Sequence, residues 1–188
     1  QITINPTTTL DSLTTYYLNI DATAFDDGSG NSYAGITNTT TLDFTSADVD
    51  APTIVFAPVD SADNVTITSN ITLTFNEAIR NTDDSALTDA NISSLITLKN
   101  ENLSGSDIPF SSTIDTSKKV ITIHPTSDFS SEQMIYVGIG PTVEDTSNNA
   151  ITATSITFRS ADITPPNVVF DPIDSADNIP ITSNITLT

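Results

Sequence analysis

Along the chain, apolar and polar positions alternate with a period of two. Ile71-Thr72-Leu73-Thr74-Phe75 reads as a strand with one buried face. Val120 to His124 does the same, with Ile121 and Ile123 on one side, and Ile135, Val137 and Ile139 form another such row. Thr53 to Phe56 is a short, Pro-flanked run. The run from Ile151 to Phe158 is less regular: Ile156 and Phe158 share a face with Thr152 and Thr154, and Ile151 and Ala153 fall on the other. Clusters of Asp, Asn, Ser, Gly and Pro separate these runs every 8–14 residues or so, the punctuation of short strands. One helix is expected, from Ala86 to Leu95, with Asp84 or Ser85 as its cap. Seven or so strands in about 110 residues predict an all-β fold of two packed antiparallel sheets.

The pattern repeats itself. Residues 52–74 and 166–188 align at an offset of 114 with 17 of 23 positions identical. Residues 2–6 (ITINP) match 121–125 (ITIHP), 15–20 (TYYLNI) match 134–139 (MIYVGI), and 44–52 (FTSADVDAP) match 158–166 (FRSADITPP). The layout predicted is the C-terminal half of one repeat at 1–48, a complete repeat at 51–162 and the N-terminal part of a third at 165–188. The expectation is a tandem, elongated array of which this chain is a piece, with ends that are not natural termini.

The stretch from Ala51 to Ile79, including Asp60-Ser61-Ala62-Asp63-Asn64-Val65 and Asn70-Ile71-Thr72-Leu73-Thr74-Phe75-Asn76-Glu77, resembles the opening of a bacterial Ig-like domain of the S-layer and adhesin type. That family carries a later Y-x-V-x-I strand followed by V-x-D-x-x-G-N. Here these are Tyr136 to Ile139 with Ile135 before them, and Val143 to Asn149; the preceding copy offers Tyr17 to Ile20 and Phe25 to Asn31. Asn148 stands where the family has Gly, and Asn also tolerates left-handed backbone. The resemblance implies Ig-like β-sandwich modules of a large repetitive cell-surface protein. Tyr136 and Tyr17, at matching positions, are then expected to make the tyrosine-corner hydrogen bond of such sandwiches.

Composition narrows the chemistry. Five Lys and Arg stand against 24 Asp and Glu, a formal net charge of −19, which excludes a basic nucleic-acid binder. No run approaches the roughly 18 apolar residues of a membrane span. With no Cys, disulfides and thiolate metal sites are impossible. Thr and Ser together make up 55 of the 188 residues. His124 is the sole imidazole and Asn5 replaces it in the earlier copy. No Gly-x-Ser-x-Gly elbow occurs, and the chain is expected not to be an enzyme.

The 20 Asp residues recur in three settings. The joints hold Asp48 and Asp50, then Asp162. The first turn of each repeat holds Asp60 and Asp63, then Asp174 and Asp177. The late turn holds Asp27 and Asp145. These are the candidate ligands for calcium, which takes oxygen donors. The alternative is that they make Asx-turns and keep the surface soluble. No stretch has the EF-hand spacing. Six Asn-x-Ser/Thr sequons occur, close to chance for this composition, with Asn70 and Asn184 the matched pair and the first glycosylation candidates. Lys118 and Lys119 are expected in a solvated hairpin turn.

The function expected is an extracellular or cell-surface structural region, a stalk, fibre or coat that spaces other parts and associates with neighbouring repeats or copies of itself. The alternatives are an adhesin module that binds glycan or a receptor through its loops, and an accessory region of a secreted enzyme. Pro52, Pro165 and Pro166 at the joints stiffen the start of each repeat, because Pro fixes φ.

Overall fold

The computed structural model describes residues 1–188. In chain order its strands are β1 (Thr15–Tyr17), β2 (Asp43–Thr45), β3 (Ile54–Ala57), β4 (Ile71–Phe75), β5 (Arg80–Asn81), β6 (Ile96–Asn100) and β7 (Phe110–Ile114). There follow β8 (Val120–Pro125), β9 (Met134–Ile139), β10 (Val143–Glu144), β11 (Thr154–Arg159), β12 (Phe170–Asp171) and β13 (Thr186–Leu187). All strand pairs are antiparallel.

Two sheets make the sandwich, one in the order β3-β4-β8-β7 and the other β11-β9-β6. This is the seven-strand arrangement of an Ig constant-type domain. The alternating rows explain it: Ile71, Leu73 and Phe75 of β4, Ile121 and Ile123 of β8, and Ile135, Val137 and Ile139 of β9 all point inward and are buried. Nineteen buried apolar residues form one core, every one of them between Phe56 and Phe158. Burying a side chain of this size contributes about 1.5–3 kcal/mol. Phe129 meets Phe158 edge-on, with centroids 5.8 Å apart.

The edge of β11 is covered. After β3 the chain turns at Asp60–Asn64 and runs beside β11: the Ser61 N–H donates to Thr157 O at 2.7 Å, Arg159 N–H to Ala62 O at 2.8 Å and Ala161 N–H to Val65 O at 2.7 Å. Val65 and Ser160 form a parallel bridge there.

Outside the sandwich, the flanking strands copy its pairing. Tyr16 opposes Phe44 and Tyr17 opposes Asp43, as their counterparts Ile135 and Tyr136 oppose Phe158 and Thr157. Phe170 opposes Leu187, as Phe56 opposes Leu73. Matching positions thus take the same register, even where few other strands stand alongside.

Four local expectations need correction. Residues 86–95 form no α-helix, only a 3-10 turn at Ile92–Leu95. The Asn91 carboxamide competes for the backbone, accepting from Thr88 N–H and donating to Ala86 O, as Asn side chains do outside helices. β11 starts at Thr154, so Ile151 belongs to the preceding loop, where its N–H donates to Val143 O at 3.0 Å and its side chain joins the apolar core. Lys118 and Lys119 are more than solvated turn residues: their ammonium groups donate to Leu87 O and Asn76 O, each at 3.0 Å. Tyr136 lies on the outer face of β9 over Gly138 and makes no corner bond. In the first copy Tyr16, rather than Tyr17, accepts the Asp11 N–H at 2.8 Å.

Candidate functional site

The joint before the sandwich is built from hydroxyls and one carboxylate. The Ser46 hydroxyl donates to Asp11 O and accepts the Thr14 N–H. Ser12 Oγ donates to Asp48 Oδ1 at 3.2 Å while accepting the Val49 N–H at 3.0 Å, and the Asp50 N–H returns to Asp48 Oδ1. From the sandwich side, Asn149 Nδ2 donates to the Asp48 carbonyl at 3.2 Å and Ser147 Oγ reaches Asp48 Oδ2 at 3.5 Å.

The same clasp recurs after the sandwich. Ser160 Oγ donates to Ser130 O and accepts the Gln133 N–H. Ser131 Oγ donates to Asp162 Oδ1 at 2.8 Å and accepts the Ile163 N–H at 2.9 Å, and the Thr164 N–H closes on Asp162 Oδ1. The bonds from Thr164 and Ser131 hold the Asp162 pKa below its ordinary value.

The late turn is also duplicated in full. Asp145 Oδ1 accepts N–H groups from Ser147 and Asn149, and Oδ2 accepts Asn149 Nδ2. Asp27 does the same with Ser29 and Asn31. The left-handed position of the turn is Gly30 in one copy (φ 83°) and Asn148 in the other (φ 71°), the substitution that short polar side chains permit.

These pieces bring three carboxylates together. Oxygens of Asp48, Glu77 and Asp145 lie within 4.8 Å of one another at the joint, with Asp145 fully buried and the other two half-buried. Burial raises the Glu77 pKa, and the charges of Asp145 and Asp48 add to it. Burial also works to raise the Asp145 pKa, but hydrogen bonds from Asn149 and Ser147, with the Arg80 charge, outweigh it and leave the value lowered. Three carboxylates could supply part of the six to eight oxygens that calcium takes, with carbonyls or water completing the shell.

Of the candidate ligands, then, Asp48 and Asp145 converge and the others do not. Asp50 is exposed on the linker. Asp60 accepts the Thr157 N–H at 2.9 Å, fastening the first turn to β11, while Asp63 accepts its neighbour Asn64 and lies 3.9 Å from Arg159. Asp177 accepts the Asn178 N–H in the same way, and Asp174 is exposed in that turn. Asp27 serves its own turn, and Asp162 its own clasp. Glu77 escaped the sequence reading, although it closes the NITLTFNE run quoted for the family resemblance. Asn70 and Asn184 are exposed just before β4 and β13.

An antiparallel sandwich of one four-stranded and one three-stranded sheet in this order defines an Ig-like module. No helix is long and apolar enough to cross a membrane. A bacterial Ig-like domain family profile matches residues 48–160, and the chain belongs to that family. No curated protein matches it. Among solved structures, CopC from Methylosinus trichosporium OB3b is loosely similar, with a TM-score of 0.42 and 8% identity over 62% of this chain and 99% of CopC.

Proposed function

We infer that the chain is part of an extracellular structural region, a stalk, fibre or surface coat of tandem Ig-like modules, acting as a semi-rigid spacer. The observation that carries this reading is the clasp: Ser12 with Asp48 and Ser131 with Asp162 make the same bonds at two joints. Linkers of a few residues, pinned by side chains, fix the angle between neighbours, and modules that touch only their neighbours extend as a rod. In this reading the chain is not an enzyme. Its one histidine, His124, sits on the outer face of β8 beside Thr113.

Since the protein has no Cys, Ser29→Cys and Ser127→Cys can carry a unique pair of spin labels. A narrow distance distribution is expected, broadened by Ser12→Ala. A broad distribution in the parent protein would sink the spacer reading.

In the same reading, Asp48, Glu77 and Asp145 take a calcium ion that offsets their mutual repulsion and stiffens the joint. Calorimetry on chelator-treated protein should give heat and a higher Tm with millimolar calcium. Neither would appear if the three carboxylates merely shape the loop.

A further inference from the structure

The middle strand of the three-stranded sheet carries a glycine on its outer face. Gly138 of β9 stands directly between Thr97 of β6 and Ser155 of β11. Where a side chain would rise, the Tyr136 ring lies instead: its hydroxyl is 3.1 Å and its Cε1 3.3 Å from the place a Cβ would take. The ring thus lies down along the sheet and covers Gly138, which is buried although it faces outward. Tyr136 itself is half-buried, with one side of the ring on the backbone and the other toward solvent.

Beside the ring is a shallow hollow of about 260 Å³, walled by Thr97, Thr154, Ser155 and Leu103, the last 61% exposed. No charged residue lines it, in a chain that carries 24 Asp and Glu. The hydroxyls of Tyr136, Thr97, Thr154 and Ser155 make no hydrogen bond within the chain. They are open to solvent, because every buried side-chain polar atom has a partner.

An aromatic face bounded by open hydroxyls matches a pyranose. The weakly positive C–H groups of the sugar ring sit against the negative face of the π system. Its hydroxyls exchange hydrogen bonds with groups that can both donate and accept. The uncharged lining, set in a protein of net charge −19, favours a neutral sugar over an acidic one. The earlier copy keeps the tyrosine as Tyr17, but Asn19 stands at the position of Gly138 and fills the space on which the ring would lie.

We propose that the outer face of β6, β9 and β11 binds a neutral glycan, with a pyranose stacked on Tyr136 and its hydroxyls held by Thr97, Thr154 and Ser155. The hollow is shallow and encloses little of its ligand, so a single module binds in the millimolar range. This function is additional to the spacer role and does not rest on it.

Amide NMR titration of the whole 188-residue chain tests this, with hexasaccharides of glucose, mannose, galactose and N-acetylglucosamine as millimolar probes. At least one should shift the amides of Thr97, Gly138 and Ser155 saturably. Tyr136→Ala and Gly138→Asn should each weaken that probe about tenfold, and Thr97→Val, which removes one hydroxyl and keeps the shape, several-fold. All three should keep the parent's melting transition, since none of these residues belongs to the core. Tyr17→Ala should leave binding unchanged, and a hexamer of galacturonic acid should bind more weakly than the neutral probe. The proposal is overturned if none of the four probes moves these amides, or if binding survives both Tyr136→Ala and Thr97→Val undiminished. A galacturonate hexamer or a proline-rich peptide that occupies this face at lower concentration than every neutral probe overturns it too. The spin-label distances across the joint are independent of all these outcomes, so failure here leaves the spacer reading standing.

Discussion

Arg80 Nε lies 3.2 Å from Glu144 Oε1, joining β5 to β10 across 64 residues, and it does so where Glu144 is almost wholly buried. The same guanidinium reaches Asp84 at 2.6 Å and Asn148 Oδ1 at 2.7 Å. Arg is suited to this because its planar fork can satisfy several acceptors at once.

Arg80→Met should therefore destabilise the sandwich by about 3 kcal/mol, chiefly because Glu144 is left buried without its partner. A urea midpoint measurement checks it. The double variant Arg80→Met with Glu144→Gln should recover much of the loss, and an equal loss in both would show that the ion pair is not the cause.

Glu77 responds in the opposite sense. Its raised pKa means the folded protein pays for the charged form, so stability is lost as pH rises through the folded pKa and regained below it. Glu77→Gln should raise the Tm at neutral pH in chelator. With millimolar calcium the gain should vanish or reverse if the trio holds an ion; an unchanged gain counts against calcium at the joint.

Asp115 closes the β7–β8 turn, accepting N–H groups from Lys119 and Val120 and the Ser117 hydroxyl. The Ser117 hydrogen bond, followed by that from Val120, lowers its pKa to about 2. A depressed carboxylate stabilises above its unfolded value, about 3.9, and that contribution disappears as pH falls through the folded value. Acid unfolding monitored by circular dichroism should therefore deepen between roughly pH 4 and 2. Asp115→Ala should cost about 1–2 kcal/mol at neutral pH, the range for a lost cap, and flatten that acid limb.

Ser131→Ala removes the hydroxyl shared by Asp162, Ile163 and Thr164 but touches none of the core. The cost should be about 1 kcal/mol or less, with the amide of Ile163 exchanging faster. Hydrogen exchange read by mass spectrometry would show it, and unchanged protection would mean that the clasp is not limiting.

Where a strand announces itself by alternation, as at 71–75, 120–124 and 135–139, the sequence was sufficient, because one buried face leaves only one register. The side of the sheet that Ile151 takes is not legible, since no alternation tells where a loop ends and β11 begins. The helix expected at 86–95 does not form because Asn91 bonds to the backbone locally. Asp48 and Asp145 were visible as repeated turn residues. Their meeting with Glu77 was not, for it depends on how the linker folds back onto a loop about 100 positions further along.

The parallel run of residues 61–65 beside β11 bears on what happens when the molecule is pulled. Tension entering near Asp48 and leaving near Asp162 drags these two segments past each other lengthwise. Their hydrogen bonds then bear the load side by side and must give way together, so the module resists stretching more stubbornly than a hairpin that opens one rung at a time.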